Sequence, residues 1–581
     1  MRYTTPTTIS QLNFIAMGTI TAFLLIFARL LFLQVYHHQI LAKQGERNFT
    51  RIKQVDPLRG NILDCNGKLL ATNRPVINID WVGSGLHKLN NEQRTTLAKI
   101  EITLNKYNQP MLVELSKINR SEKFSTSIRL ASDISIQALS EISEQCADSQ
   151  NIVISKKFQR FYPHKNLACH VLGYLGDLNN NTQSSGKMGL ELIFNDILKG
   201  KHGSTSHIIN SFGKNLQMNK IAHSQSGQDL TVTIDMELQK IAEKLMPDDL
   251  AGTFILLNPK TGALKSLVSN PGFDPSIFLK PILTDDWKQL QENRPFINRA
   301  FNASYPPASI FKLVTVAAAL EQGIITPEST FLCKGHTTFK KRKYYCNRKW
   351  GHGLLDVKDT LAFSCNIGCY EIAQKMSIDT LADYAYRFGL GEKTNIIFPE
   401  VSGIVPSNEW KRVVKGEPWW KGETLSASIG QSFLLVTPIQ VACMMGSFFT
   451  GNLVKPRILE EDLIETVPLQ IEPSTLEFLQ ECMKSAIQVG TSRSVGRLKN
   501  ITIYAKTGTA QTKSRSTDAR KLQNDCHAWC MIYFVYKDQD PLVLTILIEH
   551  AGKSSVATGV AKKFLAQYMK MYPEINVSDP V

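Results

Sequence analysis

Residues 305–312 have the sequence YPPASIFK, which is the most informative segment of this chain. Its two prolines, and the run rich in alanine, leucine and valine that follows, predict a helix that begins near Ser309 and ends at Gly323. Backbone N–H groups at the start of a helix stabilise an oxyanion, and a spacing of three residues places Lys312 beside the serine hydroxyl. We therefore predict Ser309 as a nucleophile and Lys312 as its base.

A second motif follows at residues 364–366, with the sequence SCN. Its two polar residues, Ser364 and Asn366, are two positions apart, and both side chains are expected to reach one cleft. We predict that Ser364 relays a proton and that Asn366 binds an amide of the substrate.

A third motif is KTGT at residues 506–509, which alternating apolar residues precede. The alternation predicts a strand, along which an extended substrate binds by β-addition with its carboxylate near Lys506, Thr507 and Thr509. Gly508 would let the substrate backbone approach closely, and the Thr509 N–H is predicted as the second oxyanion donor. The charge of Lys506 would keep the lysine of the first motif neutral, as a base must be.

The order and wide spacing of the three motifs resemble the signature set of the penicillin-recognising serine enzymes, Ser-x-x-Lys, Ser-x-Asn and Lys-Thr-Gly. Over most of its length the sequence resembles the class B penicillin-binding proteins, the monofunctional peptidoglycan transpeptidases. It departs from the family pattern at Cys65, where arginine is common, and at Ser432, where glycine is common. The supporting stretches are RGNILD at 59–64, GKMGLE at 186–191, TID at 233–235, SIGQ at 428–431 and TP at 437–438.

This resemblance implies a serine-type D,D-transpeptidase that cross-links peptidoglycan stem peptides. Ser309 would form an acyl-enzyme with release of terminal D-alanine and then pass the acyl group to an amine of a second strand. β-Lactams would inhibit by acylating the same serine. Three alternatives stay open: a division-type transpeptidase, a hydrolytic D,D-carboxypeptidase or β-lactamase, and a sensor that binds penicillin without turnover.

The eleven cysteines are an odd number, so a framework of disulfides alone would leave one thiol over. Cys333, Cys346, His352 and Cys365 offer three sulfurs and an imidazole, a donor set that suits a structural zinc ion. The same four positions match the metal ligands of the elongation-type penicillin-binding protein 2 subgroup. The resemblance therefore implies structural zinc and a role in cell-wall elongation and cell-shape maintenance.

The spacing of these cysteines leaves other interpretations open. A disulfide between Cys333 and Cys346, or free buried thiols, fits the sequence, and Cys369 would compete as a ligand if its segment is helical. A second metal-like cluster, CHAWC at residues 526–530, is better explained by an apolar strand in which Cys530 is a core residue.

The chain carries 66 basic and 51 acidic residues, a net charge of +15 that favours contact with anionic surfaces. The excess is diffuse, and no zinc-finger, helix-turn-helix or RNA-binding signature accompanies it, so we expect no nucleic-acid partner. Anionic lipid headgroups or a lipid-linked diphosphate precursor are the expected counter-charges. Because the sequence shows no glycosyltransferase domain, the resemblance implies partnership with a glycosyltransferase of lipid-linked precursors and with other elongation-complex proteins.

Residues 12–35 are apolar and about long enough to cross a bilayer, with Arg29 near one end. We predict a single uncleaved anchor, because no small-x-small cleavage pattern follows Leu33. The basic residues after this segment run against the positive-inside tendency, whereas the family resemblance places the catalytic domain in the periplasm. The expected location is the bacterial inner membrane.

The apolar density rises after Asp235, which suggests a domain boundary there. We predict a cytoplasmic tail and anchor at 1–36, an elongated pedestal of the dimerisation type at 37–235, and a transpeptidase domain at 236–581. The last has strands at both ends and helices between them, which predicts an α/β (α+β) fold with an antiparallel sheet, a helical lobe beside it and a cleft between. An earlier KTG, residues 260–262, is predicted to be a hairpin turn.

Overall fold

The computed structural model describes residues 6–109, 111–177, 184–209, 215–279, 282, 284–511 and 526–572. The chain forms two compact units. The first comprises residues 1–59 and 199–227, and the second comprises residues 60–198 and 228–581.

The first unit contains the apolar segment. A helix over Pro6–Leu31 continues through a π-helical turn at Phe32–Tyr36, and the span Ser10–Tyr36 is long and apolar enough to cross a membrane. Its 27 residues rise about 40 Å, which matches a bilayer with its interfacial regions. This length is consistent with a single-pass anchor. The unit also contains the helix His38–Phe49 and an antiparallel sheet of Thr50–Val55, Gly203–Ile209 and Asn215–Ala222.

The first part of the second unit is a mixed sheet with helices on it. The long strand Leu69–Val82 pairs with Ile152–Phe161 and with Ser127–Ala131. Its Trp81 is buried in the hydrophobic core of this part. The other strands are Ile62–Leu63, Leu175–Asp177, Ser184–Gly186 and Leu230–Thr231. The helices are Asn91–Lys106, Leu115–Lys123, Ile136–Gln145, Cys169–Leu172, Gly189–Ile193 and Asn195–Leu198.

A buried ion pair joins two of the family-like stretches in this part. Arg160 Nε lies 2.6 Å from Glu191 Oε1, and Arg160 Nη1 donates to the Gly60 carbonyl at 2.7 Å. A Cβ on Gly60 would lie 1.9 Å from the Gln228 carbonyl oxygen, so only glycine fits at this position. Because a lone buried charge is strongly destabilising, the arginine and the glutamate are each needed by the other.

The second part of this unit is built on one antiparallel sheet of five strands. Its strands are β1 (Gly252–Leu257), β2 (Leu264–Asn270), β3 (Thr502–Gln511), β4 (Cys526–Val535) and β5 (Leu542–Ile548), in the spatial order β2-β1-β5-β4-β3. The turn predicted at residues 260–262 joins β1 to β2, and the KTGT motif lies on β3, an edge strand. Residues of β1 and β5 are buried throughout, as expected of central strands that are covered on both faces. The predicted antiparallel sheet is confirmed.

Helices cover both faces of this sheet, which confirms the predicted helical lobe. The helices α1 (Met236–Leu245) and α6 (Ser554–Met571) pack on one face. The lobe on the other side includes α2 (Lys312–Glu321), α3 (Asn366–Lys375), α4 (Pro438–Thr450) and α5 (Pro473–Gln488). The remaining helices are Thr284–Asn293, Val357–Ala362, Ile378–Arg387, Asn408–Lys415 and Lys421–Ala427, and the short strands are Thr330–Cys333, His336–Phe339, Arg342–Tyr345, Gly353–Asp356, Asn452–Val454 and Thr466–Pro468.

Candidate active site

Ser309 lies in a short 3₁₀ turn, Ala308–Ile310, before α2. The α-helix itself begins at Lys312, so the helix start lies slightly later than the sequence predicts. Ala308 has a φ of 51°, and its N–H donates to the Gly430 carbonyl at 2.9 Å. Gly430 has a φ of 72°, and a Cβ there would lie 2.2 Å from the Ala308 carbonyl oxygen. Only glycine allows this approach, so the SIGQ stretch shapes the turn that presents Ser309.

Lys312 is fully buried and its amine contacts the second motif. Its Nζ donates to the Ser364 carbonyl and to Asn366 Oδ1, each at 2.7 Å, and lies 3.2 Å from Ser364 Oγ. Burial disfavours the ammonium form and lowers the pKa of Lys312. A lysine with a lowered pKa is neutral in a larger fraction of molecules at neutral pH, and only the neutral amine can act as a base.

Lys506 is buried on β3 and faces the same serine. Its Nζ donates to Ser364 Oγ at 3.1 Å, so this hydroxyl lies between the amines of Lys506 and Lys312. Burial and, to a smaller extent, the charge of Lys312 together lower the pKa of Lys506 to about 7. Because two like charges at this separation repel, the pair titrates as a unit. The structure thus brings parts of all three motifs to one hydroxyl.

The strand with the third motif passes close to the Ser309 turn. A Cβ on Gly508 would lie 3.1 Å from the Pro307 carbonyl oxygen, which means that the two backbones are near contact. Trp529 lies opposite Gly508 on β4, and its Nε1–H donates to the Pro306 carbonyl at 3.0 Å. The turn is therefore fixed to the sheet by the strand beside the motif.

The two threonines of this motif differ in environment. Thr507 is buried and its Oγ1 donates to Thr491 Oγ1 at 3.0 Å, whereas Thr509 is exposed. Thr491 lies outside every motif, in the segment after α5. Its contact with the site depends on how α5 packs against β3, for which the local sequence carries no signal.

A polar network with one carboxylate holds the segment before Ser309. Tyr305 Oη donates to Glu549 Oε1 at 2.6 Å, and Arg299 Nε donates to the same oxygen at 2.9 Å. The backbone of Tyr305 also pairs with that of Val436. Glu549 follows β5, so the network joins the serine segment to the central sheet. The YPP stretch can be recognised in the sequence. Its carboxylate partner cannot be recognised there, because the two lie 244 residues apart.

The four predicted metal ligands lie together. The ligand atoms of Cys333, Cys346, His352 and Cys365 are all within 4.8 Å of one another. His352 Nδ1 is 3.5 Å from the sulfurs of Cys333 and Cys346, and the sulfurs of Cys346 and Cys365 are 3.8 Å apart. A tetrahedral zinc ion with Zn–S of about 2.3 Å and Zn–N of about 2.05 Å requires S···S near ~3.8 Å and S···N near ~3.6 Å. The donor set therefore fits zinc.

The thiols of this cluster are unequal in acidity. A hydrogen bond between Cys346 and Cys365 lowers the pKa of the Cys346 thiol and raises the pKa of the Cys365 thiol. Cys333 and Cys346 both lie in the described part of the chain, and no disulfide joins them. Cys369 is helical, as the competing interpretation required, but it lies outside the cluster of ligand atoms. Cys530 is a buried core residue of β4, as predicted.

Two family models match the chain. The penicillin binding protein transpeptidase domain matches residues 252–570, and the penicillin-binding protein dimerisation domain matches residues 54–232. Together these ranges span most of the sequence, and this chain belongs to the penicillin-binding transpeptidase family that combines the two domains.

Individual relatives specify the subgroup. Peptidoglycan D,D-transpeptidase MrdA of Acinetobacter baumannii is 28% identical over 94% of this chain and 86% of that protein. MrdA of Escherichia coli is 30% identical over 75% of this chain and 72% of that protein. Penicillin-binding protein 2 of Helicobacter pylori, solved in complex with MreC, is 28% identical with a TM-score of 0.77, over 90% of this chain and 99% of that one. The resemblance to the penicillin-binding protein 2 subgroup is confirmed.

Proposed function

We propose that this chain is a peptidoglycan D,D-transpeptidase that cross-links stem peptides through an acyl-enzyme on Ser309. The observation that supports it most is the position of Ser364 Oγ, 3.2 Å from the amine of Lys312 and 3.1 Å from that of Lys506. A buried relay between two amines is suited to moving one proton from a nucleophile to a leaving group. Both MrdA relatives are named for this activity.

In the acylation step, Ser309 Oγ attacks the carbonyl carbon next to the terminal D-alanine and gives its proton to the neutral amine of Lys312. The carbon–nitrogen bond then breaks, and the departing D-alanine nitrogen receives a proton through Ser364. The N–H groups of Ser309 and Thr509 stabilise the oxyanion. Lys506 and the threonines of its motif hold the carboxylate of the donor peptide along β3.

In the transfer step, an amine of a second stem peptide attacks the ester carbonyl and releases its proton to Lys312. The ester bond breaks, and Ser309 leaves as a hydroxyl with a proton returned from the relay. Hydrolysis would use water in place of that amine, and this would give a carboxypeptidase or β-lactamase. The names of the relatives support transfer to an amine over hydrolysis.

The proposal includes a structural zinc ion held by Cys333, Cys346, His352 and Cys365. When bound, this ion would supply a rigid cross-link and no chemistry at the substrate. Cys365 lies between the serine and the asparagine of the second motif, so its coordination would fix both catalytic side chains. The fit of the donor distances supports the assignment.

We also propose that the chain is anchored in the inner membrane with its catalytic domain in the periplasm, and acts in cell-wall elongation. The apolar helix Ser10–Tyr36 supports a membrane anchor. The relative that was solved in complex with MreC supports an assembly of several proteins. A glycosyltransferase that uses lipid-linked precursors is the partner that such a monofunctional enzyme would need.

The nucleophile is tested by labelling membranes with fluorescent penicillin and locating the adduct by peptide mass spectrometry. We expect the adduct on Ser309, no label on a folded Ser309→Ala variant, and no cross-linking by that variant. Ser276→Ala, an exposed serine of the same domain, is the matched control and should label normally. An adduct on another residue, or cross-linking by Ser309→Ala, would contradict the proposal.

The zinc ion is tested by elemental analysis of protein purified without chelators. We expect one zinc per chain, its loss in Cys346→Ser, and a lower melting temperature for that variant. Cys146→Ser, a half-buried cysteine far from the cluster in sequence, is the control and should retain the metal. Protein without stoichiometric zinc would remove the ion from the proposal and leave the acyl-enzyme unaffected.

A further inference from the structure

A β-hairpin beside the cleft carries a dense positive charge. Residues 336–349, termed the basic hairpin, contain the paired strands His336–Phe339 and Arg342–Tyr345. Six of its residues are basic and none is acidic, within a chain whose net charge is +15. All six are exposed: Lys340, Lys341, Arg342, Lys343, Arg348 and Lys349.

These six charges are uncompensated in the part of the chain that the structure describes, where none of them forms an ion pair. Elsewhere in the same domain the pattern differs, since Lys411 pairs with Glu423 and Lys455 pairs with Glu465. Like charges crowded on one short hairpin repel one another and attract an anionic partner. The hairpin therefore has the electrostatics of a binding surface for carboxylates or phosphates.

The turn of the hairpin has a backbone that lysine disfavours. Lys340 and Lys341 occupy its two central positions with φ values of 44° and 67°. A two-residue turn with both φ values positive usually carries asparagine or glycine, which adopt that conformation more easily. Strain of this kind clusters at functional sites. Two lysines at the tip thus fit a role in binding better than a role in forming the turn.

The hairpin is attached to the catalytic residues at its other end. Asn366 Nδ2 donates to the Tyr345 carbonyl at 3.0 Å, while Asn366 Oδ1 accepts from Lys312 at 2.7 Å. The Tyr344 hydroxyl donates to the Gly422 carbonyl at 3.1 Å and holds the strand from its other side. The end of the hairpin opposite its tip is therefore attached to the cleft through one asparagine side chain.

We propose that the basic hairpin binds free carboxylates of the acceptor peptide and so holds its amine beside the acyl-enzyme. This rests on the proposed function, which it deepens by assigning the acceptor side of the site. The donor carboxylate is assigned to the KTGT motif on β3, whereas the hairpin reaches the cleft at Asn366. A stem peptide carries carboxylates besides the group that reacts, and these are the anions that we assign to the hairpin.

The experiment uses the full chain in nanodiscs of neutral lipid and the triple variant Lys340→Gln, Lys341→Gln, Lys343→Gln. Acylation is followed with fluorescent penicillin, and transfer with a synthetic stem peptide as acceptor, either with free carboxylates or amidated. We expect KM for the free-carboxylate acceptor to rise about tenfold, since each exposed charge contact is weak by itself. We expect kcat, acylation by penicillin and KM for the amidated acceptor to stay unchanged.

The matched control neutralises three exposed lysines near α6, on the other side of the sheet: Lys553→Gln, Lys563→Gln and Lys570→Gln. It should leave both values of KM unchanged, and added salt should raise the wild-type KM toward that of the hairpin variant. Equal losses with both acceptors would overturn the proposal, as would a defect seen only in nanodiscs of anionic lipid, which would indicate membrane contact. Failure of the proposed function is distinguishable, because the wild type itself would then neither acylate nor transfer.

Discussion

Two regions of the catalytic domain bury lysine in different ways. Lys411 is at most 1% exposed, and its Nζ lies 2.6 and 2.7 Å from the two carboxylate oxygens of Glu423. Lys312 and Lys506 are equally buried, but the described partners of their amines are hydroxyl, carbonyl and amide oxygens. A carboxylate compensates a buried charge and makes the pair structural, whereas a neutral environment favours the free amine. The partner, not the burial, separates a structural lysine from a reactive one.

The largest effect is expected from Lys312→Met. Removal of a general base costs about 10²- to 10⁴-fold, and we expect the rate of acylation by penicillin to fall by about 10³-fold. The variant should keep its fold, because methionine fills the volume and removes an uncompensated amine. Stopped-flow acylation and thermal unfolding measure the two properties. A normal acylation rate in Lys312→Met would mean that Lys506 is the base.

The next largest effect is expected from substitution of a glycine with positive φ. One such glycine, Gly430, lies in the region of the reactive lysines, and another, Gly416, lies in the region of Lys411. Gly430→Ala would bring a Cβ to 2.2 Å from the Ala308 carbonyl oxygen, whereas Gly416→Ala meets nothing within 4 Å. The first should displace the Ser309 turn and lower the acylation rate by about 10²-fold, because small misplacements of reacting groups are costly. The second should lower stability by about 1 kcal/mol and leave acylation unchanged. Equal acylation rates in the two variants would contradict this role for Gly430.

A smaller effect is expected from the structural lysine. Lys411→Met leaves the Glu423 carboxylate without its partner, and because that side chain is 24% exposed we expect a loss of about 2 kcal/mol. Denaturant unfolding measures it, and acylation by the folded fraction should be normal. The double variant with Glu423→Gln should lose less than the sum of the single variants. Additive losses would show that the two side chains do not interact.

The smallest effect is a change in the pH profile of acylation. Protonation of Lys312 removes the base, so the rate should rise with pH through a midpoint well below the ordinary pKa of lysine, since burial lowers that pKa. Loss of the second proton from the pair, which comes from Lys506, should lower the rate again at a higher pH, because Lys506 no longer faces the charge of Lys312. In Lys506→Gln the descending limb should disappear, whereas Lys411→Met should keep the wild-type profile. A descending limb that persists in Lys506→Gln would contradict the assignment.

The sequence predicts the elements that its local patterns determine. Alternating apolar residues place Lys506 on a strand, and the prolines place Ser309 at the beginning of a helical segment, although a 3₁₀ turn precedes the α-helix. The contact between Gly430 and Ala308 is not predictable, because it joins segments that are distant in the chain. The pairing of Lys411 with Glu423 is missed for a related reason, because tertiary packing decides that Lys411 is buried against this half-buried carboxylate.

The strand that carries the third motif lies at one edge of the sheet. In the described residues β3 ends the sheet, with β4 on one side and no further strand on the other. A bound donor peptide would add a sixth strand, so the number of ladder hydrogen bonds in this domain would depend on occupancy. Amide protons on the outer side of β3 should then exchange slowly only while a peptide or its covalent adduct is present. Hydrogen exchange at this strand would therefore report, residue by residue, how far along β3 a bound peptide extends.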